Sequence, residues 1–229
     1  MSQGRSVKTL AALAGLAVLL AAAPGLRADG FIIPNPRPGQ DIPPLSVKYH
    51  HVKVEIVNQV ARTSVDQVFI NHFGRDIEGT YIFPVPEGAS VSDFAMYIGN
   101  ERVQGEILDS REARRIYEDI VRRMRDPGLL EYMGRNLFRA RVFPIPAKGE
   151  KRVQISYTEV LKSENGLVKY LYPLNTERFS RDPLEDVSIS VRVESQVPIV
   201  NVYSPSHKVS VSKDSAGRAR RTRGERGGD

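Results

Sequence analysis

Asp186, Ser188 and Ser190 stand at the D-x-S-x-S spacing by which one carboxylate and two hydroxyls hold a divalent cation with coordination positions left open. That chemistry needs the Asp at the end of a buried apolar strand and both Ser on a loop entering a helix. The preceding residues are FSRDPLE, and Val187, Ile189, Val191 and Val193 alternate with Ser188, Ser190 and Arg192, which is the period of a strand. No metal is therefore assigned there. The histidines His50, His51, His72 and His207 are the remaining candidates for metal binding or proton transfer. In YHHVKV the adjacent pair points to opposite faces of a strand and does not chelate jointly, and His72 reaching one of them across a hairpin makes only two ligands. Glu101 with Glu106, or Glu78 with Glu87, are paired carboxylates whose separation in space decides whether they could serve as acid and base. There is no Cys, no G-x-S-x-G and no phosphate-cradling glycine loop. The reading assigns no catalytic residue, no cofactor-binding residue, no metal ligand and no cofactor. It expects a chain that is not an enzyme and leaves the partner-binding residues unassigned.

The elements that would position such groups are mostly strands. In YHHVKVEIV the residues Val52, Val54 and Ile56 share one face and Lys53 and Glu55 the other, and ARTSVDQVFI returns as the hairpin partner. Gly99-Asn100 between SDFAMYI and ERVQGEI is a two-residue hairpin signal. Further alternating runs are GTYIF, RARVFPI, EKRVQISYTEV, LVKYLYPL, DVSISVRVE, PIVNVYS and HKVSVS. They predict an all-β domain, an antiparallel β-sandwich or barrel-like fold, rather than a parallel sheet with helices between its strands. Phe-Pro-aliphatic-Pro occurs twice, at Phe83 to Pro86 and at Phe143 to Pro146. Proline removes a ladder donor while keeping the chain extended, so each copy reads as a strand-ending device with Phe83 and Val85, and Phe143 and Ile145, facing the core.

One amphipathic α-helix is predicted in DSREARRIYEDIVRRMRDPG, with Asp109 as its cap, Glu112 as the capping-box partner and Asp126-Pro127-Gly128 as its stop. Ala113, Ile116, Tyr117, Ile120, Val121 and Met124 form its apolar stripe. Arg114 with Glu118, and Arg115 with Asp119, lie on the opposite side as i,i+4 pairs worth ~0.2 to 0.5 kcal/mol each. The stripe is expected to pack on a sheet face, and the interleaved acids speak against a membrane-surface helix.

The ends of the chain read differently. Arg5 and Lys8 precede the charge-free run Leu10 to Ala23, which at fourteen residues is short of the roughly 20 that span a bilayer, so residues 1–28 read as a signal peptide with no later transmembrane segment. Residues 29–46, with Pro34, Pro36, Pro38, Pro43 and Pro44, read as a Pro-rich extended linker, and 47–212 as the β domain. Residues 213–229 read as a basic disordered tail, the mark of a truncated or frame-shifted chain, with a basic arm for acidic surfaces as the competing reading. Of the net charge of +6, three belong to Arg5, Lys8 and Arg27, and three to the excess of five Arg over Glu225 and Asp229 in the last twelve residues. The body between is neutral, and the tail has no aromatic to stack bases, so no nucleic-acid partner is expected.

From Val47 to Ser206 the order of features resembles the vault protein inter-alpha-trypsin domain, the VIT domain. The matching pieces are VEIVNQVARTSVDQVFIN, then IEGTYIFPVPEGASVSDFAMYIGNERVQGEI, then REARRIYEDIVRR, then GLLEYMGRNLFRARVFPIPAKGEKRVQISYTEVL, with DPLEDVSISVRVESQVPIVNVYSPSH resembling the closing strands of bacterial members. The resemblance implies an exported β-rich module, usually placed ahead of a von Willebrand factor type A domain, and carries over no catalytic residue. It implies a secreted or periplasmic protein-protein or cell-surface interaction module whose partner is a protein of the cell envelope or outside the cell, a type A domain among the options. The alternative is a carbohydrate-binding or carbohydrate-active β-sandwich, which the absence of Trp disfavours.

Overall fold

The alternation of Val52, Val54 and Ile56 with Lys53 and Glu55 survives in three dimensions as a strand whose apolar side is buried and whose polar side is open. The computed structural model describes residues 16–20, 30–35, 43–105, 137–172, 174, 184–213 and 219–226. Among these residues the chain is all-β, and the helix expected from Asp109 to Arg125 lies outside them.

Eight strands form the large sheet: β3 (Ser46–Val57), β4 (Val60–Ile70), β6 (Ser90–Ile98), β7 (Glu101–Gln104), β9 (Glu150–Val160), β12 (Asp186–Glu194), β14 (Ser210–Lys213) and β15 (Ala219–Arg226). Their order is β14-β15-β12-β3-β4-β9-β6-β7. The small sheet is β2 (Phe31–Pro34), β5 (Ile77–Pro84) and β8 (Leu137–Ile145) in the order β2-β5-β8. A third sheet, β10-β11-β1-β13, joins β1 (Leu16–Leu20), β10 (Ser163–Glu164), β11 (Leu167–Tyr170) and β13 (Ile199–Tyr203). None of the sheets closes on itself, which sets aside the barrel-like half of the fold expectation.

The small sheet lies against the large one through aromatic rings. Tyr81 of β5 meets Phe69 of β4 edge-on with centroids 6.0 Å apart and stacks on Phe94 of β6 at 5.6 Å. Phe83 meets Tyr157 of β9 at 5.9 Å, and Phe138 of β8 meets Phe94 at 5.0 Å. Such pairs add about 0.5–1.5 kcal/mol each beyond the area they bury. The Gly99-Asn100 hairpin forms as expected, with Gly99 at φ +59°, a conformation glycine adopts without steric cost, and Ile98 opposite Glu101.

The structure departs from the sequence reading in two places, each with a physical cause, and adds pairings in a third. The first FPxP copy behaves as predicted, with Phe83 and Val85 buried. In the second, Ile145 is buried but Phe143 is 53% exposed. Between Ile77 and Gly79 the ladder to β8 shifts, so Val142 and Ile145, three residues apart, oppose positions two apart on β5. The extra residue in β8 is a bulge, and it turns Phe143 outward. Second, the large sheet is not wholly antiparallel. β12 runs parallel to β3, from Asp186 opposite Tyr49 to Glu194 opposite Val57. A hairpin cannot make that pairing, but the long excursion from Val160 to Asp186 brings the chain round to the free edge of β3 in the same direction. Third, backbone expected as linker or tail is paired. Phe31 and Ile32 are fully buried in β2, and Ala219–Arg226 pairs antiparallel with β12. Inside the segment read as a signal peptide, Leu16–Leu20 runs as a strand between β11 and β13.

Candidate functional site

Of the residues that sequence chemistry singled out, the fold brings Asp186 and His51 into contact. Asp186 opens β12, and Ser188 and Ser190 follow it in unbroken register with β3. The Asp186 carboxylate sits 2.7 Å from His51 Nε2, and Ser190 Oγ donates to the Val52 carbonyl at 3.4 Å. His50 and His51 take opposite faces, as alternation requires. His50 is fully buried, with Nε2 2.8 Å from the Tyr172 hydroxyl, while His51 is on the outer face. His72 follows β4, where its carbonyl accepts from Lys148 Nζ, and His207 Nδ1 bonds the Ser206 hydroxyl. Glu78 accepts from Asn35 Nδ2 and lies 3.4 Å from Arg141, Glu87 is exposed in the turn after β5, and Glu106 lies outside the described residues.

What the fold does assemble is a mosaic on the outer face of the large sheet. Asp66 of β4 is its centre. Its carboxylate accepts from Tyr49 at 3.2 Å, from Arg152 Nε at 2.9 Å and from Gln154 Nε2 at 2.9 Å. Tyr97 donates to Gln154 Oε1 at 2.8 Å and lies under the Arg152 guanidinium, 4.5 Å from the ring centroid. His51 stacks on Tyr49 with centroids 4.4 Å apart. Five adjacent strands, β12, β3, β4, β9 and β6, thus present one connected array from Asp186 to Tyr97. Burial pushes the Asp66 carboxyl upward, but the bonds from Arg152, Gln154 and Tyr49 outweigh it and hold the group below the usual carboxylate range. Burial, followed by the charge of Asp66, pushes the Tyr49 phenol up to about 12. The array is a continuous run of hydrogen bonds and ring contacts across the outer face. The sequence reading paired YHHVKVEIV with ARTSVDQVFI but placed neither Arg152 nor Tyr97 on the face they share; Asp66 stands opposite His51 in the register that runs unbroken from the Asn58-Gln59 turn.

One end of the same outer face is apolar. Val57 lies opposite Val60, and Val60 opposite Val160, so three valines form a row across β3, β4 and β9. They are 52%, 47% and 73% exposed, and Val197, in the turn after β12, is 47% exposed beside them. The turn carrying this row is stitched down. Asn58 donates its N–H to the Glu194 carbonyl at 2.7 Å and accepts from Gln196 N–H at 2.9 Å, and Leu161 N–H donates to the Gln59 carbonyl at 2.7 Å. Exposed valines on a fixed turn keep their shape when a partner covers them.

Beneath this end, inside the core, lies a polar cluster that sequence reasoning missed. Thr63 and Tyr170 share a hydrogen bond of 2.8 Å, and the fully buried Tyr157 lies on the same core face of β9 as Glu159. Burial raises the Tyr157 phenol well above its ordinary value and pushes the Glu159 carboxyl up to about 7. Glu159 reads in sequence as a routine polar position near a strand end, and only its phase with Tyr157 and Leu161 marks it as inward.

Residues 47–157 match the family model of the vault protein inter-alpha-trypsin domain. Protein mono-ADP-ribosyltransferase PARP4 of Mus musculus is 24% identical over 66% of this chain and 8% of its own length. Inter-alpha-trypsin inhibitor heavy chain H3 of Bos taurus is 25% identical over 65% of this chain and 18% of its own, and human von Willebrand factor A domain-containing protein 5A is 25% identical over 73% and 22%. The chain therefore spans a minor part of the relatives it matches. Among solved structures, a candidate nutrient binding protein of Legionella pneumophila shares the fold with a TM-score of 0.51 at 11% identity, covering 87% of this chain and 67% of that one.

Proposed function

Residues 47–157 are a vault protein inter-alpha-trypsin domain, and from that premise we propose that the chain is an exported, non-enzymatic module that docks on another protein, a von Willebrand factor type A domain foremost. The observation that carries the docking reading is the exposed valine row Val57, Val60 and Val160 at one end of the hydrogen-bonded polar face, an apolar patch bordered by polar groups. Two facts favour a type A partner. The relatives are far longer than the match, and one of them has such a domain in its name. Export rests on the Arg5 and Lys8 leader with its short apolar run. The non-enzymatic reading rests on the sequence, which holds no Cys and no G-x-S-x-G.

The test is affinity capture from the cell envelope with the chain and with a Val60→Glu, Val160→Glu double variant. The expected result is capture of type A domain proteins by the parent chain and their loss with the double variant, whose folding stability should fall by about 1 kcal/mol, since both sites are exposed but the two carboxylates face each other across the β4–β9 ladder. Equal capture by both chains removes the valine row from the proposal. Turnover on peptide or glycan panels that disappears with Glu159→Gln overturns the non-enzymatic reading. The carbohydrate alternative needs open aromatic platforms, and on the outer face His51 already covers Tyr49 and Arg152 covers Tyr97. A glycan array that returns no binding disposes of it.

A further inference from the structure

Among the described residues β13 has a single ladder partner, β1. Leu16–Leu20 runs parallel to both neighbours, with Ala17 opposite Leu167 and Leu20 opposite Tyr170 on one side, and Ala17 opposite Asn201 and Leu19 opposite Tyr203 on the other. β11 and β13 do not pair with each other. The third sheet therefore has a place one strand wide, bounded by two edges whose N–H and C=O groups face it. The residues flanking that place form part of the core, with Val168 and Tyr170 fully buried and Val202 8% exposed. Strand edges left open in this way are templates for pairing. The occupant, LAVLL, comes from the stretch whose composition marks it as a leader.

We propose that the place between β11 and β13 is a strand-acceptor site, held here by the chain's own Leu16–Leu20 and, once the leader is cleaved, by an extended aliphatic segment of a partner polypeptide. The backbone of the incoming segment completes both ladders in parallel, and its affinity comes mainly from those main-chain bonds, with short aliphatic side chains setting the preference. The site rests on the interaction-module reading but is separate from the valine row, which belongs to the large sheet.

The experiment uses the full chain with a protease recognition sequence inserted at Pro24, cut after folding. The probe is a labelled LAVLL peptide flanked by lysines, with the same peptide N-methylated at alternate residues as its control. Amide hydrogen exchange at 167–170 and 199–203 should be slow in the uncut chain and faster by about tenfold or more after cutting and removal of the leader. It should slow again with one unmethylated peptide bound per chain, while the methylated peptide fails. Protection that persists after leader removal, or equal binding of both peptides, overturns the proposal, the first because the place closes by itself and the second because the attraction is apolar adsorption. Should the cut chain lose its β signal, Val18→Pro in the uncut chain removes a ladder donor and opens the same place. Uptake of the peptide there supports the site, and no uptake in either form overturns it. Capture of a type A domain that continues with the peptide bound leaves the docking reading intact whatever the fate of this site.

Discussion

The Tyr81 hydroxyl donates to Gln67 Oε1 at 2.8 Å in the middle of the core, and Gln67 Nε2 passes the connection on to the Gly30 carbonyl at 3.0 Å. One buried amide thus ties the small sheet, the large sheet and the chain entering β2. Tyr81→Phe keeps the ring against Phe69, Phe83 and Phe94 and removes the donor, leaving a buried acceptor unpaired. The expected cost is about 1–3 kcal/mol in urea unfolding, and a loss under about 0.5 kcal/mol would mean that the bond contributes nothing net. Gly30→Ala should cost more, since a Cβ at Gly30 runs into the Tyr81 hydroxyl.

Asn71 performs the equivalent task at the end of the second FPxP copy. Its Nδ2 donates to the carbonyls of Arg75 at 3.0 Å, Ile145 at 3.1 Å and Pro146 at 2.7 Å, and its Oδ1 accepts from Phe73 N–H at 2.9 Å. Asn71→Ala should destabilise by about 2–3 kcal/mol, several local bonds being lost together. Asn71→Asp is expected to be nearly as damaging, since a carboxylate has no donor for those carbonyls. A midpoint for Asn71→Asp equal to that of the parent would show that the carbonyls do not need Asn71.

What sequence could and could not disclose divides along the same line. Alternation alone put Val52, Val54 and Ile56 inward, set His50 against His51 and marked Gly99 as a turn, because these follow from a period of two and a φ preference. It failed at Phe143, where a bulge inserts one residue and reverses the phase. It failed again at β12, where DVSIS is recognisable as a strand but nothing local says it pairs parallel to β3. The outer mosaic was invisible for a related reason. Asp66, Arg152 and Tyr97 stand far apart in sequence, and their meeting depends on the register of two ladders, β4 with β9 and β9 with β6.

Asp66 is also the residue whose ionisation should stabilise the outer face. Its carboxyl is held below its usual range in the folded chain, so its contribution is present above the unfolded value and is lost as pH falls through the folded one. The site is partly exposed, which limits the effect to about 1 kcal/mol. Asp66→Asn should therefore weaken the protein at pH 7 by about that amount and converge with the parent chain in acid. A constant difference from pH 7 to pH 2 would assign the loss to packing rather than charge.

Glu159 and His50 bias stability in opposite directions over the pH range between them. Burial raises the Glu159 carboxyl to about 7 from an ordinary value of 4.5, and its Oε1 has no hydrogen-bond partner among the described residues. The folded chain therefore binds the proton more tightly than the unfolded chain does. The associated stability is complete below pH 4.5 and declines as pH rises through about 7. A shift of this size is worth about 3 kcal/mol for a fully buried group, and partial exposure reduces it to about 1–2 kcal/mol. Burial, then the charge of His51, lowers the His50 imidazole from 6.5 to about 3, so its stability is complete above pH 6.5 and is lost as pH falls toward 3. Glu159→Gln removes the first slope and leaves the second. Urea midpoints should rise relative to the parent chain at pH 7.5 and coincide near pH 4.5. The acid-side decline, which His50 shares with Asp66, should persist in Glu159→Gln and become shallower in His50→Gln, a variant weaker at neutral pH. Parallel profiles for Glu159→Gln and the parent across the whole range would mean that the carboxylate is solvated in the folded chain and that burial at the end of β9 imposes no charge penalty.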